Sequence, residues 1–158
     1  MIIRSIEAIL SDRPFHTITP DRSVRDACLQ MAEADVGALA VMAQGRLVGI
    51  LSERDVIRKC LASGRRTDET RVAEIMTADP VTIDAAAPLA DAMGAMVTGG
   101  FRHLPVTRSG AAVGMLSMRD IPTEYRLMFE RFREYAGPAA AVGAGAGHVG
   151  DGSAIAAQ

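Results

Sequence analysis

The sequence predicts an α/β (α+β) fold made of two pseudo-twofold-related β-α-β-β-α units. Three observations predict it. The stretch "LVGILSERDV" at 47–56 returns as "AVGMLSMRDI" at 112–121, 65 positions later. Laying residues 17–55 over 82–120 without a gap gives 14 identities in 39 positions, among them Thr17 on Thr82, Met31 on Met96, Val41 on Val106 and Gly45 on Gly110. Within each copy, short β-type runs alternate with apolar residues at helical spacing. Such a duplication sets the architecture and is read before any single motif.

In the first copy "TIT" is a short β-type run, and "SVRDACLQMAEADV" has Val24, Ala27, Cys28 and Met31 on one helical face. Ser23 with Asp26 forms the sequence pattern of a capping box. "ALAVM" is a buried strand, "AQGR" a tight turn and "LVGIL" the returning strand of a hairpin. "SERDVIRKCLAS" then reads as one helix closed by Gly64. The second copy repeats the order with "VTI", the helix "PLADAMGAMVTGG", "HLPVT", a turn at "RSG", "AVGML" and a helix from Ser117. A unit of about 60 residues buries too little surface alone, so the two copies pack against each other.

Outside the duplication, Ile2, Ile6 and Ile9 predict a short N-terminal helix. The tail from 137 to 158 is rich in Gly and Ala and predicts a flexible segment. The expected division is 1–70 for the first helix and first unit, 71–136 for the second unit with its last helix, and 137–158 for the tail. In that last helix Ile121, Tyr125, Met128, Phe132 and Tyr135 recur at heptad-like spacing. Pro122 interrupts it near its start. Such an apolar seam predicts either packing onto the chain's own core or a homodimer.

With 49% apolar residues in 158, the chain can bury a sizeable core. No apolar run approaches the ~18–20 residues of a membrane helix, and the start lacks a secretory pattern, so the expected place is the cytoplasm. A net charge of −2 and sparse aromatics argue against nucleic acid and anionic membrane as partners. The basic stretch "RKCLASGRR" reads as solvated surface. Cys28 and Cys60 have no CxxC partner or metal spacing and read as reduced packing residues. The histidines are scattered, and no nucleophile elbow, P-loop lysine or carboxylate cluster occurs, so no enzyme and no catalytic cofactor is expected.

The repeated Ser-x-Arg-Asp has two readings. One is structural: Ser52 and Ser117 cap helices whose first turns hold Asp55 and Asp120. That reading does not require Arg54 and Arg119, or Gly49 and Gly114, in matching places. The other is chemical. A helix start, a hydroxyl and an arginine offer donors to a phosphate. A carboxylate can accept both ribose hydroxyls, and a strand glycine lets a flat base approach the backbone.

The duplicated unit, with "GALAVMAQGRLVGILSERDV" and "GGFRHLPVTRSGAAVGMLSMRDI", resembles a tandem pair of CBS domains, a Bateman module, over residues 12–135 or so. "VAEIMTADPVTI" looks like the linker and opening of a second family domain. The resemblance implies a regulatory module that binds an adenosine-containing ligand between its domains. By position, Asp55 and Asp120 match the ribose-binding acids, and Ser52 and Ser117 the phosphate-side hydroxyls. It further implies that Asp79, Pro80, Val81, Phe101, Arg102 and His103 surround the site of Asp55. Pro14, Phe15, His16, Val36, Gly37 and Ala38 would surround that of Asp120. Arg102 and His103 resemble a basic pair that reaches phosphates, although His103 also suits a packed, hydrogen-bonded role. The chain departs from its own symmetry where Ala40 stands against Pro105, and Gly37-Ala38 against Arg102-His103. The two clefts are therefore electrostatically unequal. With Arg54, Arg102, His103 and Arg119 as the cations, AMP or a dinucleotide such as NAD(H) is expected ahead of ATP. The alternative is a ligand-free dimerisation or scaffold module, and in either case an effector protein is an expected partner.

Overall fold

The computed structural model describes residues 5–136. Ile2 of the expected first helix and the whole expected tail lie outside the described residues. The elements are α1 (Ile6–Leu10), β1 (Thr17–Ile18), α2 (Val24–Ala34), β2 (Ala38–Ala43), β3 (Arg46–Ser52) and α3 (Glu53–Asp55), which continues as a π-helix (Val56–Leu61). Next come α4 (Val72–Ile75), β4 (Thr77–Ala78), β5 (Ile83–Asp84), α5 (Leu89–Gly99), β6 (His103–Arg108) and β7 (Ala111–Ser117). A 3-10 turn (Met118–Asp120) and α6 (Thr123–Ala136) complete the fold.

Local chemistry explains the duplicated parts. Each hairpin turns on two residues of positive φ, Gln44 (50°) and Gly45 (75°) in one, Ser109 (51°) and Gly110 (80°) in the other. That pairing matches the twist of antiparallel strands. At the start of α2 the Ser23 hydroxyl accepts from the Asp26 amide at 3.0 Å, and the Asp26 carboxylate accepts from the Ser23 amide at 3.4 Å. The expected capping box is therefore formed.

The strands make a four-stranded sheet, β1-β2-β3-β4, and a three-stranded sheet, β5-β6-β7. In both, the opening strand lies parallel to the next and the hairpin is antiparallel. Ala38 opposes Ser52 and His103 opposes Ser117, so the 65-residue offset survives as three-dimensional register. Both hairpins also slip at the same place, between Val41 and Met42 and between Val106 and Thr107. The bulge is thus part of the repeat.

Two cores result, and each borrows from the segment preceding the other repeat. The first gathers Val24, Met31, Leu39, Val41, Leu51 and Cys60, and is closed by Val72 and Ile75 of α4. The second gathers Leu89, Met93, Met96, Leu104, Leu116 and Ile121, and is closed by Ile6 and Ile9 of α1. The N-terminal helix, grouped with the first unit on sequence, therefore packs in the second core. Likewise β4 pairs with β3 of the first unit.

Several local expectations are corrected. "SERDVIRKCLAS" forms one α-turn and then a π-helix, marked by the Ala62 amide donating to the Ile57 carbonyl at 2.9 Å. Its counterpart after Ser117 is a 3-10 turn that stops at Ile121, because Pro122 cannot continue it. The helical pattern resumes at Thr123. Along α6, Tyr125 and Phe129 pack on the second core, and Ile121 is buried there. Leu127 and Met128 are 55% and 61% exposed. The expected seam is thus divided between the chain's own interior and solvent, and the Phe132 and Tyr135 side chains lie outside the described residues. The basic stretch is exposed surface as expected, and Lys59, Arg65 and Arg66 form ion pairs there. Cys28 and Cys60 are free thiols, and burial raises the pKa of Cys28.

Candidate functional site

The ends of β3 and β7 bring Ser52–Asp55 and Ser117–Asp120 to one cleft between the units, about 850 Å³ in volume. That lies within the usual range of small-molecule sites, ~300–1,000 Å³. Both junctions of the repeated motif open into the same space, together with the residues the resemblance grouped around each. Phe15 is the exception. It is half-buried and does not line the cleft, because its neighbours Pro14 and His16 occupy the lining positions on that short extended stretch.

The two junctions share a geometry. The Ser52 amide donates to Asp55 Oδ2 at 3.0 Å, and the Ser52 hydroxyl donates to the same oxygen at 2.8 Å. The Ser117 amide donates to Asp120 Oδ2 at 2.7 Å, and the Ser117 hydroxyl accepts from the Arg119 amide at 3.3 Å. The capping reading of Ser-x-x-Asp is therefore realised in full. Each acid also meets a cation that sequence reasoning missed. Lys59 Nζ lies 2.8 Å from Asp55 Oδ1 and also donates to the Ile75 carbonyl and the Thr77 hydroxyl. Arg13 forms an ion pair with Asp120. An i, i+4 spacing from Asp55 was the available signal for Lys59. None existed for Arg13, which lies 107 residues from its partner.

The remaining cations are unequal. Arg54 donates across the units to the Gly100 carbonyl at 2.9 Å. Among the described residues neither Arg102 nor Arg119 has an ion-pair partner, and both are exposed at the cleft. The His103 imidazole lies over Gly37, where an added Cβ would stand 3.1 Å from its Cε1 and 3.3 Å from the Glu53 carboxylate. Gly37 thus leaves room for the close approach of His103 from the other unit. Burial lowers the His103 pKa; Glu53 opposes that shift, Arg102 and Arg119 add to it, and Asp120 opposes it. Glu53 and Asp35 also line the cleft and were not anticipated.

The CBS domain family profile matches residues 5–62 and 72–124, one match for each unit. This chain belongs to the CBS-domain family. It is 34% identical over 126 residues to the mitochondrial CBS domain-containing protein CBSX3 of Arabidopsis thaliana, covering 74% of this chain and 61% of that protein. A CBS-domain protein of Burkholderia ambifaria has a solved structure that matches at 34% identity and a TM-score of 0.70, covering 74% of this chain and 90% of that one. A CBS domain protein from Pyrobaculum aerophilum, complexed with AMP, matches at 27% identity and a TM-score of 0.71, over 80% of this chain and 97% of that one. The α+β CBS-pair architecture is therefore shared. No described helix of this CBS pair is long and apolar enough to cross a membrane. Among the described residues no group of three or more His, Cys, Asp or Glu is placed to hold a metal ion.

Proposed function

We propose that this CBS pair is a regulatory sensor that binds an adenosine-containing nucleotide in the cleft between its units. One observation carries the reading: both Ser-x-Arg-Asp junctions face a single cleft of about 850 Å³ that also presents Arg102 and Arg119, which have no ion-pair partner among the described residues. Capping explains each serine and aspartate, but it does not explain why two guanidinium groups with no ion-pair partner among the described residues line the same cavity. The AMP complex of the Pyrobaculum relative supports the ligand class. Asp55 or Asp120 would accept the ribose hydroxyls, while the arginines and Ser52 or Ser117 would meet phosphate. Lys59 is committed to three acceptors, so the cations left over suit one or two phosphates better than three. AMP or NAD(H) should therefore outcompete ATP. The role is regulatory, without catalysis, and its output passes to an effector protein.

Isothermal calorimetry with AMP, NADH, ATP and S-adenosylmethionine tests this reading. Saturable heat with AMP or NADH is expected, and silence with all four ligands would overturn it. A competition won by ATP would overturn the ligand order alone. Leu127 and Met128 on the outer face of α6 favour an additional feature, a homodimer joined through that helix.

A further inference from the structure

Pseudo-symmetry makes the two halves of the cleft comparable residue by residue, and the N-terminal segment breaks that symmetry. Leu10, Arg13 and Pro14 line the cleft. An added Cβ at Gly114 would stand 2.8 Å from Leu10, so that side chain lies against the strand glycine of the second unit. At the matching Gly49 the neighbour is Met76, which does not line the cleft. Arg13 reaches Asp120 from within the cleft and leaves that side chain 8% exposed. Lys59 reaches Asp55 without lining the cleft, and it also donates to the Ile75 carbonyl and to the hydroxyl of Thr77, a lining residue.

The base-side strands differ in the same sense. The Ala40 amide donates to the His16 carbonyl at 3.2 Å and closes the opening strand of the first unit onto β2. The matching pair is Pro105 and Val81. Proline has no amide hydrogen, so that bond cannot form. Val81 is 56% exposed at the cleft.

We infer that Arg13 plugs the Asp120 half of the cleft from within, so that the chain takes one nucleotide, in the half bounded by Asp55, Val81 and Pro105. The inference rests on the nucleotide reading above and adds its stoichiometry and the element that sets it. Arg13 occupies the position a ribose would need at Asp120, with its charge satisfied by that carboxylate. Asp55, 13% exposed, is instead met by Lys59, which does not line the cleft.

Calorimetry on the full chain with AMP as the probe tests the plug. Wild type is expected to bind one AMP per chain, and Arg13→Ala two. Arg13→Gln, which keeps most of the stem but not the charge, gives the same count of two. Adding Asp55→Ala to Arg13→Ala should weaken one of the two sites and spare the other. Two AMP per wild-type chain, or one per chain in both Arg13 variants, would overturn the inference while leaving nucleotide binding intact. No AMP heat in wild type or in either variant would instead sink the nucleotide reading on which it stands.

Discussion

Asp55→Ala separates what this carboxylate does for the fold from what it does for a ligand. In the folded chain Asp55 accepts from the Ser52 amide and hydroxyl at 3.0 and 2.8 Å, and pairs with Lys59 at 2.8 Å. A half-buried hydrogen bond contributes about 0.5–1.5 kcal/mol net. The Lys59 pair contributes about 0.2–1 kcal/mol, because that lysine is 44% exposed and water screens it. The Ser52 cap to the Asp55 amide survives the substitution, so the total loss is about 2 kcal/mol. At about 2–4 °C per kcal/mol for a chain of this size, Tm should fall by about 4–8 °C. The ligand loses a charge-assisted pair of bonds to ribose, worth about 1.5–3 kcal/mol, or tenfold and more in the Kd for AMP. Differential scanning fluorimetry reads the first effect and calorimetry the second. Asp55→Asn keeps an acceptor for the Ser52 amide and should recover part of the Tm but not the affinity. Wild-type AMP affinity in both variants would refute the ribose assignment. An unchanged Tm in Asp55→Ala would refute the capping and ion-pair account.

Three other outcomes are expected. The folded-state pKa of His103 is held below its ordinary 6.5 by burial, so the unfolded chain takes up that proton first. Stability is full above pH 6.5 and falls as pH drops below it; His103→Gln should flatten the Tm decline between pH 6.5 and 5.5, and parallel curves would refute the burial argument. Ile6→Ala should cost about 2–4 kcal/mol in urea unfolding, since Ile6 is 0% exposed although it lies near the N-terminus; a loss under about 0.5 kcal/mol would show that α1 does not close the second core. If α6 joins two copies, Leu127→Glu with Met128→Glu should give a monomer in sedimentation velocity at micromolar concentration where wild type is a dimer, and an unchanged mass would place the contact elsewhere.

The duplication was legible because it is written in both local and distant signals that agree. Gly45 and Gly110 mark turns that need positive φ, Ser23 marks a cap, and alternating apolar runs mark the strands between them. The same 65-residue offset then reappears in strand register and in the paired bulges. What escaped was everything decided by a partner far along the chain. The residues of α4 and β4 read as linker because four helical and two extended residues carry no periodicity. They are ordered by Val72 and Ile75 entering a core built earlier and by β3 offering an edge. The π-helix escaped because its apolar spacing is also that of an α-helix. At the cleft, Ser52, Asp55 and their repeat mates were visible as a motif, whereas Arg13 is a lone charge outside the duplication. Phe15 shows the converse: placement by analogy cannot tell which side of a short extended stretch faces the cavity.

The exchange of helices between cores has a consequence for the order in which the chain is made. The first core needs nothing beyond Ile75, so it can close while the second repeat is still being synthesised. The second core needs both Ile6 and Ile121. At roughly 5–20 residues per second, α1 waits about 6–23 s after leaving the ribosome before its own core exists. Throughout that interval Ile6 and Ile9 form a short apolar ribbon with no shelter, and they must neither stick to the finished first unit nor to another nascent chain. Docking that ribbon is the longest loop closure in the described molecule, and such closures come late. Docking α1 therefore draws earlier-made residues onto the later-made β7, and the same docking carries Arg13 to Asp120.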